Sequence, residues 1–176
     1  MSEPMTVYPE VWPVAADAKG LWLISGDGPW RPALPIYADG DVHQEVELEL
    51  SSNGIDRADV VLLHSTSWRA DGPAIVLTYI AIVRKPGYVR QNWPGAEPIS
   101  PLLPAAVGKP PTHAADEAPA PRYVDCLLHA IRHVAFLRDR DATAAAVLDE
   151  HWLSALSGLD PALAGMYADQ HCRRAA

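Results

Sequence analysis

Three clusters of side chains in this sequence have residue types and spacings that could do chemistry. The first is His64-Ser65-Thr66-Ser67-Trp68-Arg69. The hydroxyls of Ser65, Thr66 and Ser67 can donate or accept hydrogen bonds. Arg69 presents a planar fork that grips phosphate or carboxylate at two points. Trp68 offers a stacking face for a base or ring. With His64 beside them, these groups suit a nucleotide-like anion. No Gly-x-Ser-x-Gly turn surrounds the serines, so a nucleophilic elbow is not expected. Side chains alternate along a strand, so Trp68 and Arg69 meet one ligand only if the chain bends by Ser67. On this reading Arg69 is a binding residue whose loss leaves folding nearly intact.

The second cluster is Asp125, His129, Arg132 and His133. On a helix Asp125 stands one turn before His129 and can orient its imidazole. His129 and His133 have the spacing of metal-binding helices, but Ala130 stands where zinc-protease helices carry Glu. A third ligand would have to come from His64, His113 or His151. The four residues lie beside the apolar stripe of their helix. They are expected as a polar face, either solvated or lining an organic ligand.

The third cluster is Glu45, Glu47 and Glu49. Carboxylates suit Mg²⁺, which takes oxygen ligands and keeps several waters. Glu45 and Glu49 form the pair that could share a metal. Rows of acids also commonly do no more than solvate a helix or strand.

Local patterns dictate the elements that must carry these groups. Residues 1–10 read as a loose arm. Gly20 to Ser25 reads as a strand stopped by Gly26-Asp27-Gly28-Pro29. Arg31 to Tyr37, with its spaced prolines, reads as an edge strand or polyproline stretch. Residues 41–53 alternate like a half-exposed strand but also fit a helix, which is the expected form. Asp41 can cap its start, and Asn53-Gly54 makes a left-handed stop. Asp59 to His64 and Pro73 to Arg84 are apolar, β-branched strands, paired as an antiparallel hairpin with Asp71-Gly72 in the turn. Residues 86–121 hold nine prolines and read as an extended connection or lid, with one helical turn at Ser100-Pro101. Arg122 to Arg138 carries the stripe Tyr123, Leu127, Ala130, Ile131, Val134 and Leu137. Helices from Ala142 to Ser157 and from Pro161 to about Asp169 follow.

These elements predict an α/β or α+β fold, a small mixed sheet flanked by helices with further helices at the C-terminus. The 176 residues fit one domain, divided as 1–85, 86–121 and 122–176. About half of them, 49%, are hydrophobic, enough for a sizeable core. The net charge of -8 opposes general binding to nucleic-acid backbones or anionic membranes. No apolar run reaches bilayer length, and no leader is expected. Cys126 and Cys172 lack metal-binding spacing. A cytoplasmic protein with reduced thiols is the expectation.

A strand, a loop, an acidic helix ending in Gly54-Ile55, and then a hairpin with a strongly apolar second strand resembles the Nudix hydrolase arrangement, over roughly Gly20 to Val83. The family pattern is Gly, five residues, Glu, seven residues, Arg-Glu-apolar-x-Glu-Glu-x-Gly-apolar. Anchored on Gly54-Ile55, it puts Ser51 and Ser52 at the paired glutamates and Leu48 at the preceding one. Shifted onto Glu45 and Glu49, it recovers two acids, loses the final Gly and puts Leu48 at a ligand position. The metal-binding set is incomplete in both registers. The resemblance therefore implies a Nudix-like α/β/α sandwich whose pyrophosphate hydrolysis is degraded or lost, and no catalytic residue carries over. The functional expectation is a protein that binds a nucleotide or other phosphorylated small molecule, with weak or no hydrolase activity. The alternatives are an interaction or homodimerisation module acting through its C-terminal helices, and a divergent metal-dependent hydrolase using Glu45, Glu47 or Glu49.

Overall fold

The computed structural model describes residues 6–37, 40–100 and 122–163. It has an α+β fold around one mixed sheet. In chain order the elements are β1 (Thr6–Asp17), β2 (Gly20–Leu23), β3 (Ile36–Tyr37), α1 (Val42–Ser52), β4 (Val60–Asp71), β5 (Ala74–Val83), α2 (Val89–Asn92), β6 (Glu97–Pro98), α3 (Tyr123–Arg140), α4 (Ala142–Val147) and α5 (Glu150–Leu156). The strand order is β4-β5-β1-β2-β6, with β3 also on β1. β1 and β5 run parallel from Thr6↔Ala74 to Val14↔Ile82, and the other pairings are antiparallel.

From Thr6 on, the expected loose arm is instead the start of a central strand, and residues 1–5 lie outside the described residues. Pro9 and Pro13 argue against a central strand, because proline cannot donate to a ladder. Strand parity removes the conflict. Val11 exchanges both backbone hydrogen bonds with Trp30, so the odd-numbered residues here turn their backbone groups away from β5. Pro9 and Pro13 share that parity. Their missing N–H groups fall on the side where pairing is already interrupted, between β3, Trp30 and β2. The even-numbered residues carry the parallel ladder to β5 without a gap.

The same alternation covers both faces of the sheet. Trp12, Val14, Leu21, Leu23, Ile80 and Ile82 pack with α3 and α5, through Leu127, Ile131, Val134, Trp152 and Leu156. Val11, Ala15, Trp22, Ile24, Ala81 and Val83 pack with α1 and α2, through Val46, Leu50 and Val89. A sheet buried on two sides explains the continuous apolar run of β5.

α1 forms as expected. The Asp41 side chain accepts from the His43 and Gln44 backbone N–H groups, and Gly54 takes the positive φ of 82° that ends the helix. The hairpin also forms, with two differences. β4 runs on to Asp71, so His64 to Arg69 lies within the strand and not at its turn. The loop itself is Gly72-Pro73, between the paired Asp71 and Ala74, and Gly72 supplies the positive φ such turns require. Of the expected Arg31 to Tyr37 strand, only Ile36–Tyr37 pairs, and Trp30, just before it, bridges to Val11.

The single helix expected from Ala142 to Ser157 breaks at Leu148. That residue is extended, and the Asp149 side chain caps α5 at the His151 and Trp152 N–H groups. The helix expected from Pro161 does not begin there. Residues 161–163 are non-helical, tied to α3 by Ala162 N–H to Arg132 O at 3.1 Å. The remainder of that helix, the Ser100-Pro101 turn, His113 and Cys172 lie outside the described residues. No described helix is long and apolar enough to cross a membrane.

Trp152 is 2% exposed and joins α5 to the sheet-facing core. Trp152→Ala is expected to cost about 3–5 kcal/mol through lost burial and an unfilled cavity. Urea denaturation would measure this, and a loss below about 1 kcal/mol would show that α5 is dispensable.

Candidate functional site

Glu10 has the most demanding environment in the chain. Its position on β1 buries it completely, on the α3 side of the sheet. Five donors converge on its two oxygens. Oε1 accepts from Arg69 Nη1 at 2.5 Å and Thr78 Oγ1 at 2.7 Å. Oε2 accepts from Arg69 Nη2 at 2.8 Å, Arg31 Nη2 at 2.6 Å and Arg31 Nε at 3.1 Å. Register explains the meeting. Glu10 pairs with Thr78, and Thr78 with Ser67, so the side chains of β1, β5 and β4 stand in one row, with Arg69 two residues on. Arg31 arrives from the loop after β2 and lies 5.3 Å from the Tyr123 ring at the start of α3.

Burial pushes the Glu10 carboxyl upward, but the bonds and charge of Arg69, with Thr78 and Arg31, outweigh it and hold it below the usual range. Arg69 is correspondingly raised, chiefly by its bond to Glu10. A carboxylate this saturated is no general base, because it has no oxygen left for a substrate proton. What the group does have is surplus charge: two guanidinium ions share one carboxylate. Arg31 is the more exposed of the two, with 33% of its side chain accessible against 24% for Arg69.

The residues of the first expected cluster fall on different sides of the sheet. Trp68 pairs with Leu77 and Arg69 with Val76, so they point to opposite faces; Trp68 is 66% exposed. A bulge does occur between Ser65 and Ser67, but β4 continues past it. Thr66, the extra residue, is buried with its hydroxyl 3.3 Å from Thr78 O. Ser65 is exposed and Ser67 half-buried. His64 lies on the α3 side, its ring stacked on His133 at 5.2 Å.

The second cluster is not the expected polar face. Asp125, His129 and His133 are all buried. Asp125 does not orient His129; it accepts from Arg122 at 2.9 and 3.0 Å. Arg132 donates to Asp160 O at 2.8 Å. His133 Nδ1 meets Ala162 O at 3.0 Å. The Nε2 atoms of His129 and His133 have no hydrogen-bond partner in the described structure. Burial, followed by the neighbouring His133 and Arg132 charges, lowers His129 to about 4. His133 and His64 are lowered as well, each mainly by burial. These are neutral core imidazoles.

Two members of the glutamate row are engaged by neighbouring side chains. Glu47 takes Arg57 Nε at 2.9 Å and faces His43 at 3.7 Å. Glu49 takes Asn53 Nδ2 at 3.0 Å. Leu48, at the ligand position of either Nudix register, is 54% exposed. Among the described residues no group of three or more His, Cys, Asp or Glu side chains could hold a metal ion. An open groove of about 530 Å³ lies apart from Arg31 and Arg69, between α1 and β4, lined by His43, Glu47, Arg57, Ala58 and Val60 to Leu63.

Glu10, Arg31 and Thr78 escape a reading from sequence because β1 does. The usable signal is one acid in the apolar run Val-Tyr-Pro-Glu-Val-Trp-Pro-Val, where a buried charge needs a partner. No protein-family model matches the chain, and no curated protein matches it.

Two predictions follow from the geometry. Arg69→Ala leaves Glu10 with Arg31 as its one remaining cation, on Oε2, and the neutral Thr78 hydroxyl on Oε1, and is expected to cost about 3–5 kcal/mol. Arg31→Ala leaves the two-pronged Arg69 contact and is expected to cost clearly less. Equal losses in urea denaturation would refute the ranking, and the same measurement tests the expectation that Arg69→Ala leaves folding nearly intact.

The second prediction concerns pH. His129 titrates near 6.5 when unfolded and near 4 in the fold. As pH falls below 6.5 the unfolded chain gains a proton that the folded chain refuses. Stability is therefore complete above about 6.5 and declines by about 3 kcal/mol on the way to 4. Melting midpoints across this window should flatten in His129→Leu; an unchanged slope would place the effect elsewhere.

Proposed function

We propose that this chain is a Nudix-like α/β/α protein that binds a phosphorylated or similarly anionic small molecule and has weak or no hydrolase activity. The observation that carries the reading is the surplus positive charge of Arg31 and Arg69 around one buried carboxylate. Glu10 fixes both guanidinium planes, so an incoming anion meets donors whose ordering cost is already met. Arg69 keeps Nε, and Arg31 keeps Nη1, beyond the contacts to Glu10 and Thr78. The Tyr123 ring, half-exposed beside Arg31, offers a surface to the organic part of such a ligand.

The order of elements supports the Nudix-like part of the reading, with an acidic helix that ends at Gly54 and leads into the hairpin. The side chains support the loss of hydrolysis. Glu47 and Glu49 are engaged by Arg57 and Asn53, and Leu48 replaces an acid. Among the described residues no group of three or more His, Cys, Asp or Glu side chains offers itself to Mg²⁺. Interaction through the C-terminal helices has less support, since Tyr123 and Leu153 are the only large apolar side chains exposed on their described residues.

Calorimetric titration with inorganic phosphate, pyrophosphate and a nucleotide panel tests the proposal. Wild type is expected to bind at least one member, and Arg31→Gln to bind it about 10- to 150-fold more weakly, the loss of a charged hydrogen bond. Absence of binding across the panel, or equal binding by Arg31→Gln, would overturn it. A Mg²⁺-dependent hydrolysis screen should show no robust turnover. Turnover abolished by Glu45→Gln, Glu47→Gln or Glu49→Gln would restore the hydrolase alternative.

A further inference from the structure

The charge at the arginine cluster can be counted. Glu10 carries one negative charge and Arg31 and Arg69 two positive ones, which leaves a surplus of one. The groups nearby do not raise it. Thr78 contributes a hydroxyl. Burial pushes the Cys126 thiol up, so it stays uncharged within reach of the same arginines. Arg122 and Asp125, at the start of α3, offset one another at 2.9 Å. Asp71, the one acid of β4, is exposed two residues beyond Arg69 on the same face and can only lower the surplus. At longer range the chain carries -8, a field that repels further negative charge.

The donors left over form edges. Arg69 meets Glu10 end-on, through Nη1 and Nη2. Its planar guanidinium therefore keeps the edge made by Nε–H and the outer Nη2 hydrogen. Arg31 meets Glu10 through Nε and Nη2 and keeps the edge made by Nη1 and Nη2. Both Nη2 atoms touch Oε2, at 2.8 and 2.6 Å, so the two free edges begin at neighbouring atoms. Each presents two parallel N–H groups, a match for two oxygens on one phosphorus. Both side chains are partly covered, where water screens unmatched charge less well.

We infer that, if this cluster takes a phosphorylated small molecule as proposed above, it selects a phosphodiester over a terminal phosphate. A phosphodiester carries one negative charge. It turns two oxygens to an arginine edge and leaves the cluster neutral. A terminal phosphate carries about -1.5 to -2 at pH 7. Its excess stays beside the Glu10 carboxylate without a matching cation. The Tyr123 ring beside Arg31 suits a diester that carries a base. Two sources share that chemistry, a cyclic mononucleotide and a short linear dinucleotide.

Calorimetric titration of the full chain with adenosine, adenosine 5′-phosphate, adenosine 3′,5′-cyclic phosphate and the linear dinucleotide adenylyl-adenosine tests this. At about pH 7.5 one of the two diesters should bind about tenfold or more tightly than the 5′-phosphate, and the tighter diester identifies the source. Towards about pH 5.5 the 5′-phosphate gains a proton, its second pKa being about 6. Its binding should then strengthen towards that of the diester, whose own binding stays level. The cluster keeps its charges across this window, because Glu10 is held below the usual range and Arg69 above it. A 5′-phosphate that binds at least as tightly as both diesters at about pH 7.5, and is weakened by Arg31→Gln, overturns this inference and leaves the proposed function standing. Should that variant fail to fold, the wild-type ratios still decide. Diesters that strengthen on acidification as much as the 5′-phosphate also overturn it, because the titrating group would then be the protein's. If no phosphate binds more tightly than adenosine, the proposed function falls as well.

Discussion

A carboxylate withdrawn completely from water must be met by donors, and at Glu10 that requirement ties four segments together. β1 brings the acid, β5 brings Thr78, β4 brings Arg69, and the loop after β2 brings Arg31. None of these contacts is local in sequence; Glu10 and Thr78 are 68 residues apart. The parallel register of β1 on β5 puts the acid beside the hydroxyl, and a one-residue slip would send it to the opposite face. The cluster thus penalises wrong registers more than it rewards the right one. A buried ion pair often adds little net stability, yet it disfavours every arrangement that leaves its charge alone.

The same economy appears on α3, with the opposite electrostatics. His129 and His133 are buried on α3 without charge, the His133 ring stacked with those of His64 and Phe136. Their Nε2 atoms are among the few buried polar atoms without partners among the described residues, together with the indole nitrogens of Trp12 and Trp152. Glu10 stays charged because donors surround it, whereas the imidazoles stay neutral because water is kept from them. Opposite ends of one sheet face therefore differ in polarity: cationic by β4's Arg69, apolar and neutral by its His64.

How much of this was legible depended on whether the deciding contact was local. The helix at 42–52 declares itself through Asp41 and Asn53-Gly54, whose effects act within a turn. The β4–β5 hairpin declares itself through two apolar runs and a glycine between them. β1 does not. Its two prolines read as breakers until the ladder parity of a distant pairing with Trp30 is known. Asp125 and His129 sit at ideal helical spacing, yet Asp125 takes Arg122 instead, three residues before it. The polarity of α3's histidines suggested solvent, because the apolar stripe looked narrow. The sheet and α5 in fact cover more of the helix than that stripe. Arg69 was recognisable as the useful cation of its stretch, but the acid that fixes it lies 59 residues away.

β4 shows why a stretch such as His64 to Arg69 resists a single reading. A strand at the side of a sheet has three addresses, and successive residues deliver to each in turn. One face carries His64 to the imidazole of His133 and Arg69 to Glu10. The other face carries Trp68 to the surface. The outer edge carries the backbone of Ser65 and Ala70. The single-residue bulge at Thr66 lets the addresses coexist. It moves the inward series from His64 to Ser67 and Arg69, which puts the guanidinium in the row of Glu10 and Thr78. Were Thr66 to pair with Thr78 in regular register instead, Arg69 would fall on Trp68's present side, and Glu10 would be left with one arginine.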